Sequence, residues 1–247
     1  MLQIRRLKKY YNPDSDNTIR LFEDLNIDFD VEMTALLGPN GCGKSTLLDL
    51  ISGAKFCDAG TIHLDGVEIT QTEERVRAKD IARVYQNPSM GVAPSLTVLE
   101  NLALADHKGK PVTLGKLIQR DRIDFYRTRL EELNLGLEDK FESLVRELSG
   151  GQRQSLALVM ATMKEPKILL LDEHTAALDP ATSELVMEKT TELVNRHKMM
   201  TIMVTHDPRM ALRYADRIVV LSRGTVRTDV QAGEIEEMEL LEAFVTA

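Results

Sequence analysis

Aromatic side chains are scarce in this 247-residue chain, at 4%. Eleven methionines supply bulky, adaptable core filler in their place and imply no cofactor. Only two cysteines occur, one of them inside a glycine-rich loop, so a disulfide framework is excluded and a reducing, cytosolic setting is expected. No apolar run approaches the roughly 20 residues that a membrane-spanning helix needs. The start, Met1-Leu2-Gln3-Ile4-Arg5-Arg6, leads into strand-like alternation and lacks the apolar core of a secretory signal. Lys and Arg form no stripe, and the net charge is −8 with a pI near 5.3, which makes nucleic acid an unfavoured partner. There is no internal repeat and no low-complexity linker. What is there is 43% hydrophobic, enough for a sizeable core. A soluble chain is expected, one whose work at any membrane needs partners.

Period-2 alternation predicts strands over 2–7 and 21–29, and a hairpin turning at Asp65-Gly66 joins strands over 61–64 and 67–69. A short apolar strand, 34–37, feeds a glycine-rich loop, with a helix leaving it over 44–52. Another strand is expected over 81–85. From Ser95 to Met163 the pattern turns helical, with a charged amphipathic stretch at 120–133 and Ser149 placed to cap a helix through Leu156 and Met160. After Pro166 strands (168–171, 201–204, 218–221) alternate with helices (180–197, 208–214), the strands apolar without alternation, as buried parallel strands are. An acidic helix is expected over 234–244. One continuous domain over 1–247, with a helical insertion at about 95–163 between two α/β portions, fits this order.

Gly38-Pro39-Asn40-Gly41-Cys42-Gly43-Lys44-Ser45, continued by Thr46, has the spacing of a phosphate-binding loop. Its glycines permit φ > 0 and close backbone approach, so that successive N–H groups and the helix dipole point at an anion. Lys44 is suited to the β- and γ-phosphates and Ser45 to Mg²⁺. Alone, this loop fits a kinase or a GTPase equally well. Cys42 lies within it, so alkylation there is expected to block the nucleotide by bulk. Ser149-Gly150-Gly151-Gln152 opens a second helix with exposed amides and a hydroxyl, a second anion-binding end that one chain with one loop does not need; by itself it is also an ordinary capped helix. Ile168 to Leu171 deliver Asp172 and Glu173 to a strand end, the edge where α/β proteins bind ligands. Asp172 there suits Mg²⁺, and Glu173 suits orientation or deprotonation of an attacking water. His206 ends another strand in the same way and is placed as a γ-phosphate contact. His174, beside the acids, has no partner at metal-ligand spacing and reads as structural.

Leu148-Ser149-Gly150-Gly151-Gln152, together with the loop and the acids, resembles the signature of the ATP-binding-cassette (ABC) ATPases over nearly the whole chain. The resemblance implies an α/β P-loop NTPase (RecA-like) core with an antiparallel β subdomain and an inserted α-helical signature subdomain. It implies ATP and Mg²⁺, with Tyr11 (or its neighbour Tyr10) stacking on adenine. Gln86 is similar to the glutamine that touches Mg²⁺ and the attacking water and senses a membrane subunit. Asp179, in Ala177-Leu178-Asp179, is similar to the D-loop aspartate at a dimer interface. In this family two cassettes stack head to tail, so that Ser149, Gly151 and Gln152 of one copy face the phosphate held by Lys44 of the other. A homodimer with two intact sites is implied, as are integral membrane permease subunits and an extracytoplasmic substrate-binding protein, with the chain on the cytoplasmic face of the plasma membrane. His174 stands where most relatives have Pro; with its surroundings Asp172 to Pro180, the approach from Asn12 to Arg20, and Pro88 to Thr97, it resembles importer ATPases of the tryptophan/tyrosine type.

The alternative within the family is a non-transport ATPase. The DNA-repair members carry a long coiled coil between the two halves, and this sequence has no sustained heptads; translation-associated members usually have two cassettes. A regulatory module without turnover is expected to lose Glu173 or His206, and both are present.

Overall fold

The computed structural model describes residues 1–13, 17–108, 117–133 and 135–245. Parts of two stretches named above, 14–16 in the approach to Arg20 and 109–116 with 134 in the helical insertion, lie outside them. In chain order the elements are β1 (Leu2–Tyr11), β2 (Ile19–Phe29), β3 (Met33–Leu37), α1 (Lys44–Ser52), β4 (Ala59–Leu64), β5 (Val67–Glu68), α2 (Glu74–Arg77), β6 (Ile81–Val84), α3 (Val98–His107), α4 (Ile123–Glu131), α5 (Gly150–Thr162), β7 (Ile168–Asp172), α6 (Pro180–His197), β8 (Met200–Val204), α7 (Pro208–Tyr214), β9 (Arg217–Ser222), β10 (Thr225–Gln231) and α8 (Glu237–Val245). They form two compact units, Met1–Ala78 with Met200–Ala247, and Lys79–Met199.

The first unit holds two sheets. One is antiparallel in the order β2-β1-β4-β5, with β4 and β5 joined at Asp65 and Gly66, both at positive φ as a two-residue hairpin turn requires. In the other, β3 lies parallel to β9 on one side and to β8 on the other, and β10 closes the β9 edge antiparallel. All five residues of β3 and of β8 are buried, which is why these segments read as unbroken apolar runs. Arg217 joins the two sheets: it donates to the carbonyl of Asp28 in β2 at 2.7 Å and grips Asp229 of β10 through two 2.6 Å bonds. The Arg217 guanidinium is accordingly held above its ordinary pKa, chiefly by the Asp229 hydrogen bonds.

In the second unit β6 and β7 pair in parallel, Val84 opposite Leu171. Helix α5 packs against α3, α4, α6 and β6. Asn101, fully buried on α3, clamps the loop ahead of it through bonds to both the N–H and the carbonyl of Ala93. Arg122 and the Tyr126 hydroxyl meet on the Asp106 carboxylate, tying α4 to α3. Among the described residues no helix is long and apolar enough to cross a membrane.

Candidate active site

In the first unit the loop from Gly38 to Gly43 leaves β3, and its three glycines sit at φ of 149°, 80° and 110°. Gly38 has a second reason to lack a side chain, because a Cβ there would lie 2.3 Å from the carbonyl oxygen of Leu221. Gly43 takes the N-cap of α1 without any side-chain cap, and no acid occupies the first turn. The first turn of α1 therefore presents its positive end without internal neutralisation, as an anion site requires. At the other end Arg77 does the opposite. Its buried guanidinium donates to the carbonyls of Leu50 and Ile51 at 2.7 and 2.9 Å, satisfying the last turn of α1. Burial without a carboxylate partner pulls the Arg77 pKa down. Nothing in the sequence spacing singles out Arg77, whose two partners on α1 lie 26 and 27 residues away.

The Lys44 ammonium is buried and folded back on its own loop, donating to the carbonyls of Gly38 at 2.6 Å and Pro39 at 3.1 Å. Phosphate oxygens offer it stronger, charge-assisted acceptors. Tyr11 ends β1 with its hydroxyl 3.3 Å from the Thr46 hydroxyl of α1, and the Lys9 and Lys55 ammonium groups each stand 5.6 Å from its ring. Tyr10 instead pairs with Arg20 in the sheet, and its N–H donates to Asp58. The ring beside the phosphate loop is thus that of Tyr11. Cys42, where alkylation is expected to block the nucleotide by bulk, is 5% exposed, and burial pushes its thiol pKa up. His206 follows β8, which runs beside β3 with Val204 opposite Leu36, and leaves the same strand edge as the phosphate loop. Asp207 next to it caps α7.

In the second unit Gln86 follows β6 and Asp172 ends β7, again at the shared C-terminal edge of parallel neighbours. Glu173 sits just past it at φ 45°, a left-handed conformation that costs a non-glycine residue roughly 1–2 kcal/mol and is commonest where function demands it. Asp172 is bound by Arg83 of β6 at 2.5 Å, in a pair whose side chains are 10% and 14% exposed. His174 is fully buried with its Nε2 unpartnered, and burial drives its pKa down to about 4. Among the described residues no group of three or more His, Cys, Asp or Glu could hold a metal ion, His174 included. Within this unit the Asp172 carboxylate is a hard-oxygen donor of the kind that suits Mg²⁺.

Ser149 and Gln152 open α5 with a reciprocal capping box, each side chain accepting from the other's N–H at 3.2 Å. That leaves the Ser149 hydroxyl proton available to donate. Gly150 and Gly151 lie against the start of α6: a Cβ on Gly151 would fall 2.4 Å from the Thr182 methyl, and one on Gly150 would touch Leu178 at 3.5 Å. Asp179 caps α6 by accepting from Thr182 N–H, and the Thr182 hydrogen bonds hold its carboxyl below its ordinary range. The signature residues and Asp179 are therefore neighbours. Gln154, buried one turn into α5, donates to the carbonyl of Tyr85, the residue before Gln86, at 3.3 Å; this link spans 69 residues and carries no sequence signal.

The family profile described as ABC transporter matches residues 23–176. The chain is 46% identical, over 99% of its own length and 98% of the relative's, to a tyrosine transport ATP-binding protein of Clostridioides difficile. It is 34% identical to a sulfate/thiosulfate import ATP-binding protein of Pseudomonas aeruginosa, covering 96% of this chain and 68% of that one. Among solved structures, a dimeric ATP-binding cassette in a post-hydrolysis state with ADP and Pi superposes with a TM-score of 0.79 at 27% identity, over 94% of this chain and 99% of that chain.

Proposed function

The chain belongs to the ABC transporter ATPases, and on that premise we propose that it is the ATP-hydrolysing subunit of an importer for tyrosine or a related aromatic amino acid. The observation that carries the cargo is the 46% identity, end to end, with a tyrosine transport ATP-binding protein. The whole chain, 1–247, acts in this reading as one nucleotide-binding domain with a helical subdomain at about 95–163. Tyr11 takes the adenine. The backbone N–H groups from Asn40 to Thr46 cradle the phosphates, with Gly38 and Pro39 turning the loop ahead of them, and Lys44 turns from its own loop carbonyls to the β- and γ-oxygens. Ser45 and Asp172, with Gln86, would hold Mg²⁺, which would neutralise charge on the phosphates when bound. Glu173 orients the attacking water, and His206 donates to the γ-phosphate, which fits a reaction that depends on positioning and electrostatics.

Two copies close head to tail over ATP, the Ser149 hydroxyl, the Gly151 amide and the side-chain NH₂ of Gln152 completing the site held by Lys44 of the other copy, with Asp179 at the interface. Reopening after hydrolysis is a rigid-body switch passed to permease subunits through the surface from Gln86 to Leu104. The chain then works on the cytoplasmic face of the membrane, and a substrate-binding protein delivers the cargo. Affinity purification of the tagged chain from its native membranes in mild detergent tests this. A polytopic membrane protein and an extracytoplasmic binding protein that takes up tyrosine are expected among the co-purifying proteins by mass spectrometry. Recovery of soluble partners alone overturns the importer, and a binding protein indifferent to aromatic amino acids overturns the cargo.

A further inference from the structure

Asp172 is a carboxylate in a mostly buried place, and a buried charge needs a partner. The structure supplies one: Arg83 lies opposite Leu170 in the parallel β6–β7 ladder, and its side chain runs along the strand to put Nη2 2.5 Å from Asp172 Oδ2. The guanidinium carbon also lies 4.8 Å from the centroid of the Tyr85 ring, which orients the fork. A divalent cation on Asp172 and a guanidinium on Asp172 compete for the same oxygens, and two positive charges at that spacing repel. We propose that Arg83 is the counter-ion that a divalent cation must displace from Asp172, so that Arg83 sets how strongly Mg²⁺ supports nucleotide binding.

This rests on the reading of Asp172 as a Mg²⁺ ligand. Arg83 is thus a positioning residue with two arrangements, on the carboxylate or off it. Its movement has a short path onward. The stacked Tyr85 precedes Gln86, and the Tyr85 carbonyl is held by Gln154 of α5, so a displaced Arg83 pulls on the segment that carries Gln86 and on the signature helix together.

The test is the ratio of affinities for a fluorescent, non-hydrolysable ATP analogue, mant-AMPPNP, in Mg²⁺ and in EDTA, which reads binding and not turnover. Arg83→Gln, which keeps the stem and a donor, is expected to raise the Mg²⁺ enhancement about tenfold, a coupling of ordinary size. Arg83→Lys, which keeps the charge but not the fork, is expected to raise it about threefold, and this variant carries the test if the Gln substitution lowers the melting temperature below assay conditions. Asp172→Asn is expected to reduce the enhancement, and in that background Arg83→Gln is expected to add nothing, as a double-mutant cycle requires of a direct pair. An unchanged enhancement in the Arg83 variants, with Asp172→Asn still lowering it, overturns the displacement while leaving the metal reading intact. The same rise with and without Asp172 overturns it too, as a general charge effect. An enhancement insensitive to Asp172→Asn removes the metal reading and the proposal with it.

Discussion

Lys44 and Asp172 carry the opposite charges that nucleotide chemistry needs, and each is engaged within its own unit, the lysine by the carbonyls of Gly38 and Pro39 and the aspartate by Arg83. In the proposed mechanism phosphate oxygens replace the first partners and Mg²⁺ the second. His174 is a different case, a buried imidazole with nothing to compensate a charge. Its pKa falls from 6.5 in an unfolded chain to about 4 in the fold, so between those values the unfolded chain binds more protons. The stability it contributes is complete above pH 6.5 and is lost as pH falls toward 4. Urea denaturation is expected to show a loss of about 2 kcal/mol from this group between pH 7.5 and 5. His174→Leu should remove that part of the acid limb, and an unaltered slope in the variant would assign it to other groups. The sequence places His174 as structural from the absence of ligand spacing; that it is neutral and unpartnered depends on packing.

At the scale of elements, the sequence reading and the structure agree best where local chemistry marks the ends. Helices α1, α6 and α7 begin and end at the residues read from the sequence, because Gly43, Pro180 and Pro208 punctuate them. Strand β10 has no such mark. It alternates between exposed and half-buried residues at a sheet edge and buries no apolar stripe, so the sequence pattern does not mark it, and α8 starts three residues later than its acidic composition indicates. The site's supports are hidden for another reason: Arg77, Arg83 and Gln154 act on partners 26 to 89 residues away. The signature shows both sides. Its glycines are legible as an anion-binding turn, while the contact of Gly151 with Thr182 is visible only in the fold. Gly151→Ala therefore sets overpacking of about 1–3 kcal/mol against a gain in helix propensity of at most about 1 kcal/mol, and a net loss is expected in thermal melting. Thr182→Ser, which removes the clashing methyl, should restore most of that loss. A Gly151→Ala variant with an undiminished melting temperature would show that α5 and α6 do not press together there.

For the whole molecule, the redundancy of two anion-binding helix starts is the feature that calls for a second copy. Helix α1 has an uncapped start, with Lys44 at hand, whereas α5 has already satisfied part of its first turn through Ser149 and Gln152 and keeps a donor to spare. Such a division suits one end that holds a phosphate and another that closes over it. In the proposed mechanism Glu173, which belongs to neither helix start, serves turnover and not nucleotide binding. Light scattering coupled to size-exclusion chromatography of Glu173→Gln with Mg-ATP tests this most directly. The account predicts a particle of twice the 27.8 kDa chain mass carrying two ATP molecules, which reverts to the single-chain mass when nucleotide is withdrawn and does not form with Ser149→Glu added. A Glu173→Gln chain that holds ATP stoichiometrically yet elutes at the single-chain mass would contradict it.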